Sequence, residues 1–251
     1  MELEDSTDIA VGGRTASGEE QVSPRESTGR SRIPLLEVIQ AHERTSAFIA
    51  AADEFLDAQG FTEHGFRHAK LVGHIAFNIL THLGHDGRTA ELGAVAGYLH
   101  DVGNVVSRAN HGQSSAWLAF DVLKDLDVTS LEMAQVLAAV GNHEEQYGVS
   151  VSPISAAVII ADKSDVHRSR VRKDAKIEMD IHDRVNYAVG ASFLRVDPLE
   201  RTLTLELTID TAISHVLEYF EIFLERMIMC RRAARTLGCD FKITVNDVSV
   251  L

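Results

Sequence analysis

Between residue 33 and about residue 175 the apolar residues recur at three- and four-residue intervals, the spacing of helices with one buried face. Breaks fall at Gly60, Gly84, Gly103, Gly148 and Pro153. The pattern therefore predicts helices near 34–58, 64–83, 88–100, 112–125, 129–143 and 153–165, packed as a bundle. After about residue 183 the period shortens. Leu203, Leu205, Leu207 and Ile209 alternate with Thr204, Glu206 and Thr208, which predicts a half-buried strand over 201–209. Residues 186–196 are rich in β-formers and form its expected partner, joined to it by the turn Asp197-Pro198-Leu199-Glu200. A long amphipathic helix over 212–237, a stop at Gly238 and a last strand over 241–245 complete the pattern. The expected fold is mainly α, a helical bundle over 32–182 followed by a small β-β-α-β module over 183–251. Residues 1–31, rich in Ser, Thr, Gly, Glu and Arg without apolar periodicity, read as a flexible tail.

Composition narrows the functional classes. A chain of 251 residues with 45% hydrophobic and 24% charged residues suits one soluble domain with a small appendage. The net charge of -13 would repel a nucleic-acid backbone, so genomic nucleic acid is not an expected partner, and any nucleotide must be held by a local basic patch or by cations. The two cysteines, Cys230 and Cys239, lack metal-ligand spacing, and neither a signal region nor an eighteen-residue apolar run is present. The expectation is a cytoplasmic protein with free thiols and no membrane partner.

The candidate chemistry lies in histidines and aspartates at core-facing positions. His100 and Asp101 end the apolar stretch before Val102-Gly103-Asn104, and adjacent residues of these types suit a carboxylate that bridges two metals beside an imidazole that holds one. His68 projects from the same helix face as Val72, Ala76 and Leu80. His111 opens a helix, His143 ends one, and Asp162 follows the apolar run 156–161. Taken singly, each reads as well as a hydrogen-bonded core residue. Together they are costly to bury without partners, and a metal pair supplies those partners. Imidazole and carboxylate donors without thiolate suit two divalent transition-metal ions among Mn, Fe, Ni, Co and Zn.

The order His68, His100-Asp101, His111, His143, Asp162 resembles the HD-domain superfamily of metal-dependent phosphohydrolases over roughly residues 60–172. Its strongest parts are Leu99-His100-Asp101-Val102-Gly103, the helix ending in His143, and Ala161-Asp162-Lys163-Ser164-Asp165. The resemblance implies that all six residues are metal ligands, that Asp101 bridges, and that His111 and His143 place the chain in the two-metal subset. Members that cleave cyclic dinucleotides carry Lys where this chain has Asn104 and a Gly-Tyr-Pro signature that is missing here, so that substrate is not inferred. His64, four residues before His68, is similar to the proton-donating histidine of cyclic-nucleotide phosphodiesterases and is the candidate general acid.

The expected reaction is hydrolysis of a phosphoester or phosphoanhydride in a nucleotide or small phosphorylated metabolite. Lys163, Arg168 and Arg172 lie in the densest basic stretch of an acidic chain. Lys163 is the first choice for phosphate contact, and Arg168 with Arg172, read as one helical turn apart, is the candidate clamp. Trp117 and Phe120 share a helix with Ala116 and Leu123 and read as core, and Cys230 as a packed thiol. The same six-residue pattern also resembles HD-type di-iron oxygenases. A ligand-binding regulatory protein, with the C-terminal module joining subunits through its strand edges, is the third reading.

Overall fold

The computed structural model describes residues 7–10, 34–172 and 180–250. Its helices are α1 (Pro34–Ala41), α2 (Glu43–Ala58), α3 (Phe66–His82), α4 (Gly87–Leu99), α5 (His111–Leu123), α6 (Ser130–Gly141), α7 (Pro153–Ser164), α8 (Ile181–Ala188) and α9 (Val216–Thr236). The strands are β1 (Thr7–Ala10), β2 (Val189–Asp197), β3 (Thr202–Ile209), β4 (Asp240–Val245) and β5 (Val248–Ser249). The chain is mainly α, as expected.

Side-chain caps explain where several helices begin. Asp86 accepts from the Thr89 amide at the start of α4, Thr129 and Glu132 form a reciprocal capping box on α6, and Ser152 caps α7 just before Pro153. The single helix expected over 34–58 is two. His42 takes an extended conformation (φ -72, ψ 120) and its ring caps the Thr45 amide, so the chain restarts as α2.

The bundle is built around α4, which is buried from Leu92 to Leu99 and packs on α3, α6 and α7. Its contact with α3 is backbone on backbone: a Cβ on Gly97 would lie 3.0 Å from Gly73 Cα, so both positions need glycine for the helices to approach this closely. That approach brings the end of α4 to the first turn of α3.

The sheet order is β1-β2-β3-β4-β5, antiparallel except for the parallel pair β3 and β4 that α9 connects. Leu203, Leu205, Leu207 and Ile209 are buried as the alternation predicted. α9 lies on both α7 and β4, and one continuous apolar cluster runs from Leu35 in α1 to Val245 in β4. Sheet and bundle therefore share a core.

Three further expectations change. Residues 7–10, assigned to the flexible tail, form an edge strand paired with β2 from Thr7 opposite Val196 to Ala10 opposite Phe193; the rest of that tail lies outside the described residues. Residues 186–188, read as the start of a strand, end α8, because Asp180 caps the His182 and Asp183 amides and commits the segment to a helix. Trp117 and Phe120 are 76% and 41% exposed, since the core face of α5 is formed instead by Ser115, Ala119, Val122 and Leu123. Among the described residues no helix is long and apolar enough to cross a membrane.

Candidate metal centre

Five helices deliver the six predicted ligands to one place. His68 stands in the first turn of α3, His100 and Asp101 follow α4, His111 begins α5, His143 follows α6, and Asp162 lies in the last turn of α7. Two local features seat the middle of this set. Asn110 adopts a left-handed conformation (φ 56), which asparagine tolerates better than most residues, and thereby turns the chain into α5 at His111. Gly103 lies against the first turns of α5, where a Cβ would collide with the His111 carbonyl and the Ser115 amide, and its own amide donates to Ser115 Oγ at 2.7 Å.

The donor atoms converge. Each of three groups, His68/His100/Asp101, His100/His143/Asp162 and Asp101/His111/His143, places one ligand atom per residue within 4.8 Å of the others. His68 and His100 face each other at 3.2 Å between Nε2 atoms, and His111 and His143 at 3.0 Å. Asp101 stands between the pairs. Its Oδ1 lies 3.1 Å from His111 Nε2 and 3.6 Å from His143 Nε2, while its Oδ2 lies 3.4 Å from His100 Nε2 and 3.6 Å from His68 Nε2. Asp162 Oδ1 approaches His68 and His100 at 3.4 and 3.7 Å.

The opposite ring nitrogens show what this cluster requires. His100 Nδ1 faces the Gly97 carbonyl at 2.8 Å, His111 Nδ1 the Arg108 carbonyl at 2.9 Å, His143 Nδ1 the Val140 carbonyl at 2.7 Å, and His68 Nδ1 the Asp165 carboxylate at 2.7 Å. Every partner is an acceptor, so every Nδ1 carries a hydrogen. In the neutral rings four Nε2 lone pairs then point at one another and at two carboxylates, an arrangement that only positive charge relieves. The donor set fits divalent metal ions, and the outward bonds fix each ring as metal-binding histidines require.

The electrostatics agree. Burial opposes a charged His100 ring, but Asp101 and Asp162 outweigh it and push its pKa up to about 10. Burial dominates at His143 and takes it down to about 4, with Asp101 pulling the other way. Burial disfavours the Asp101 and Asp162 carboxylates, yet His100 beside the former and Lys163 beside the latter hold both well below the usual range.

A layer of charged residues surrounds these six residues. Asp165, fully buried, meets His68, receives two bonds from Arg67 at 2.8 and 3.2 Å, and lies 3.8 Å from Arg170 Nε. Arg170 also donates to the Asp165 carbonyl at 2.8 Å and to the Glu63 carbonyl. Glu144 reaches the Gly112 amide at 2.7 Å and His111 Nδ1 at 3.1 Å. Asn104 donates to both the carbonyl and Oδ1 of Asp101 at 3.0 Å.

The other predicted site residues take varied places. His64 stands edge-on to His68 with ring centroids 5.4 Å apart, and its Nδ1 donates to the Thr62 carbonyl at 2.6 Å, which leaves Nε2 available. Burial, then Arg170, with His68 and Arg108 adding smaller contributions, hold its pKa well below the usual imidazole value, although Asp101 pulls the other way. Lys163 Nζ is buried, 2.5 Å from Asp162 and 3.1 Å from Glu145, which in turn meets Arg226 at 2.9 Å. Arg168 and Arg172 do not share a helical turn, because Arg168–Arg170 is a short 3-10 turn and Val171 is extended. Arg168 is exposed over the Tyr187 ring, whereas Arg172 is committed to Asp53, Asp57 and the Phe61 carbonyl.

Sequence reasoning gave no role to Asp165, Arg67, Glu144 or Arg108. Asp165 is marked by its spacing: it falls one helical turn after Asp162, at the end of an apolar helix. Arg108, three residues before His111, carries no comparable signal.

Residues 65–168 match the HD domain family. The chain is also 30% identical over 135 aligned positions to a protein of Methanocaldococcus jannaschii that is itself uncharacterized, a match covering 45% of this chain and 51% of that relative. The matched region thus spans about half the length of that relative.

Proposed function

We propose, from the premise that residues 65–168 are an HD domain of the metal-dependent hydrolase superfamily, that this chain is a phosphohydrolase acting on a nucleotide or another small phosphorylated metabolite at a two-metal centre. The observation that carries the reading is the division of Asp101 between two facing histidine pairs, with all four Nδ1 hydrogens directed outward. His68, His100, Asp101 and Asp162 would hold one ion, and Asp101, His111 and His143 the other, drawn from Mn, Fe, Ni, Co and Zn. Such a pair, when bound, lowers the pKa of a water and stabilises charge on phosphoryl oxygens during in-line displacement.

The residues of the chain then have distinct tasks. Asp101 and Asp162 direct oxygen donors inward, and Lys163, tied to Asp162 and Glu145, fixes the Asp162 carboxylate instead of reaching for substrate itself. His64 keeps Nδ1 on the Thr62 carbonyl and offers Nε2 beside His68, where it can hold the proton that the leaving oxygen needs. An anionic substrate offsets the field of Arg108 and Arg170 and favours the protonated ring. We also propose that the C-terminal module joins subunits through its sheet edge.

The test is metal content of the purified protein followed by phosphate release across nucleotides and phosphoesters with each metal added, using the double variant His100→Ala/Asp101→Ala as control. About two metals per chain and metal-dependent release, lost in the variant, are expected. Two irons with oxygen consumption and no phosphate release would replace the hydrolase by the oxygenase reading, and a chain that neither binds nor responds to metal would refute both.

A further inference from the structure

Arg108 reaches the His111 side of the centre. Its Nη1 lies 3.4 Å from His111 Nε2, the nitrogen that faces Asp101 and His143, and 3.2 Å from Asn104 Oδ1. Its guanidinium lies over the Phe61 ring at 5.4 Å from the centroid. Among the described residues it has no carboxylate partner, in contrast to Lys163, Arg67, Arg170 and Arg172, each of which is held by one. Arg108 is half-buried, and the residues on either side, Val106, Ser107, Ala109 and Asn110, are exposed, so the guanidinium stands at the mouth of the site.

The group is also oriented. Asn104 receives one Arg108 hydrogen while its own amide donates to Asp101, and Phe61 supports the guanidinium plane from a loop that Arg172 pins through the Phe61 carbonyl at 3.0 Å. A fork of donors held beside the ligands, with its charge uncompensated, suits an anion with several oxygens. A terminal phosphoryl group offers three such oxygens and about -1.5 to -2 charge near neutral pH, whereas an internal diester offers two oxygens and a single charge.

We propose that Arg108 is the phosphate-gripping residue of this site and that it selects substrates bearing a terminal, dianionic phosphoryl group over internal diesters, with Asn104 and Phe61 as its positioning residues. The proposal deepens the phosphohydrolase reading and rests on the same centre. It replaces Arg168 and Arg172 as the clamp.

The experiment is calorimetric titration of metal-loaded protein with inorganic phosphate and with dimethyl phosphate, for the wild type, Arg108→Ala, Arg108→Lys and Phe61→Leu, with metal content measured for each. Arg108→Ala is expected to weaken phosphate about tenfold or more and dimethyl phosphate less than about threefold; Arg108→Lys, which keeps the charge without the fork, and Phe61→Leu fall between. Undetectable phosphate binding by the wild type, unchanged phosphate binding by Arg108→Ala, equal losses on both probes, or loss of metal from that variant would overturn the assignment. A wild type that binds phosphate through Arg108 yet hydrolyses no phosphoester would leave the grip standing and remove only the hydrolase.

Discussion

The two sides of the metal centre are built differently. On the His111/His143 side the rings are steered by main-chain carbonyls three residues back, those of Arg108 and Val140, with the Glu144 carboxylate also 3.1 Å from His111 Nδ1, and His100 uses the carbonyl device through Gly97. His68 cannot, because it stands inside the first turn of α3, where the Gly65 carbonyl already accepts from Ala69. Its outer nitrogen therefore needs a side chain, and Asp165 supplies one, held by Arg67 and Arg170. The His68 side is braced by a fully buried carboxylate that two arginines hold, the His111 side by Glu144 on the Gly112 amide. The His111 side also lies beside an exposed loop that carries Arg108, the side on which the proposed substrate would enter.

Asp101 is the element common to both sides, so its removal should have the largest effect. Asp101→Ala is expected to release metal from both positions and to lower phosphate release by about a thousandfold or more, beyond the roughly 10²–10³ that follows loss of a single charge-stabilising group. Metal analysis beside steady-state rates checks this. Retention of one full equivalent of metal would show that the two sides do not depend on a shared carboxylate.

His111→Ala separates them. The His68/His100 side keeps all its donors and its charged bracing, so the variant should retain about one metal per chain while activity falls on the order of a hundredfold or more. Loss of both metals would mean that the His111 side organises the other, the reverse of what the bracing implies.

Asp165→Asn attacks the bracing alone. It leaves all six ligands in place but withdraws the charge behind His68, and metal affinity should fall about 10- to 100-fold, first on the His68 side. Burial opposes the Asp165 carboxylate, but Arg170, His68 and Arg67 hold its pKa far below the usual value. A carboxylate depressed in the folded state stabilises the fold above its unfolded pKa of about 3.9 and loses that contribution as pH falls below it. Acid unfolding of the asparagine variant, followed by circular dichroism without metal, should therefore depend less steeply on pH below about 4 than that of the wild type.

How much of this was legible in the sequence follows the same division. The six clustered residues could be picked out because each is a polar residue at a core position, which helical periodicity exposes. The strand over 202–209 was equally plain from its alternation. The bracing was not, since Asp165 and Arg67 meet across 98 positions of sequence and look like ordinary charges on helix ends until α3 and α7 are packed together. Trp117 was misread because an apolar side chain in a helix resembles core whichever way it faces, and here 76% of it is exposed. The break at His42 was hidden for a related reason: a histidine gives no sign in advance that its ring will cap the next helix.

The basic stretch gives the smallest expected effect and a direct test of where phosphate is held. Sequence density alone favoured Arg172 as a clamp, yet its guanidinium meets Asp53 at 2.7 Å and Asp57 at 3.0 Å and donates to the Phe61 carbonyl. These bonds tie α2 to the loop before α3, and because they are partly exposed they contribute at most about 1 kcal/mol. Arg172→Ala should lower the unfolding free energy by that amount or less, leave metal content unchanged and keep KM within about threefold of wild type, the residual change reflecting slack in the loop under Phe61. A tenfold rise in KM at unchanged stability would place the guanidinium on the substrate and move the open side of the centre from Arg108 to the far end of the basic stretch.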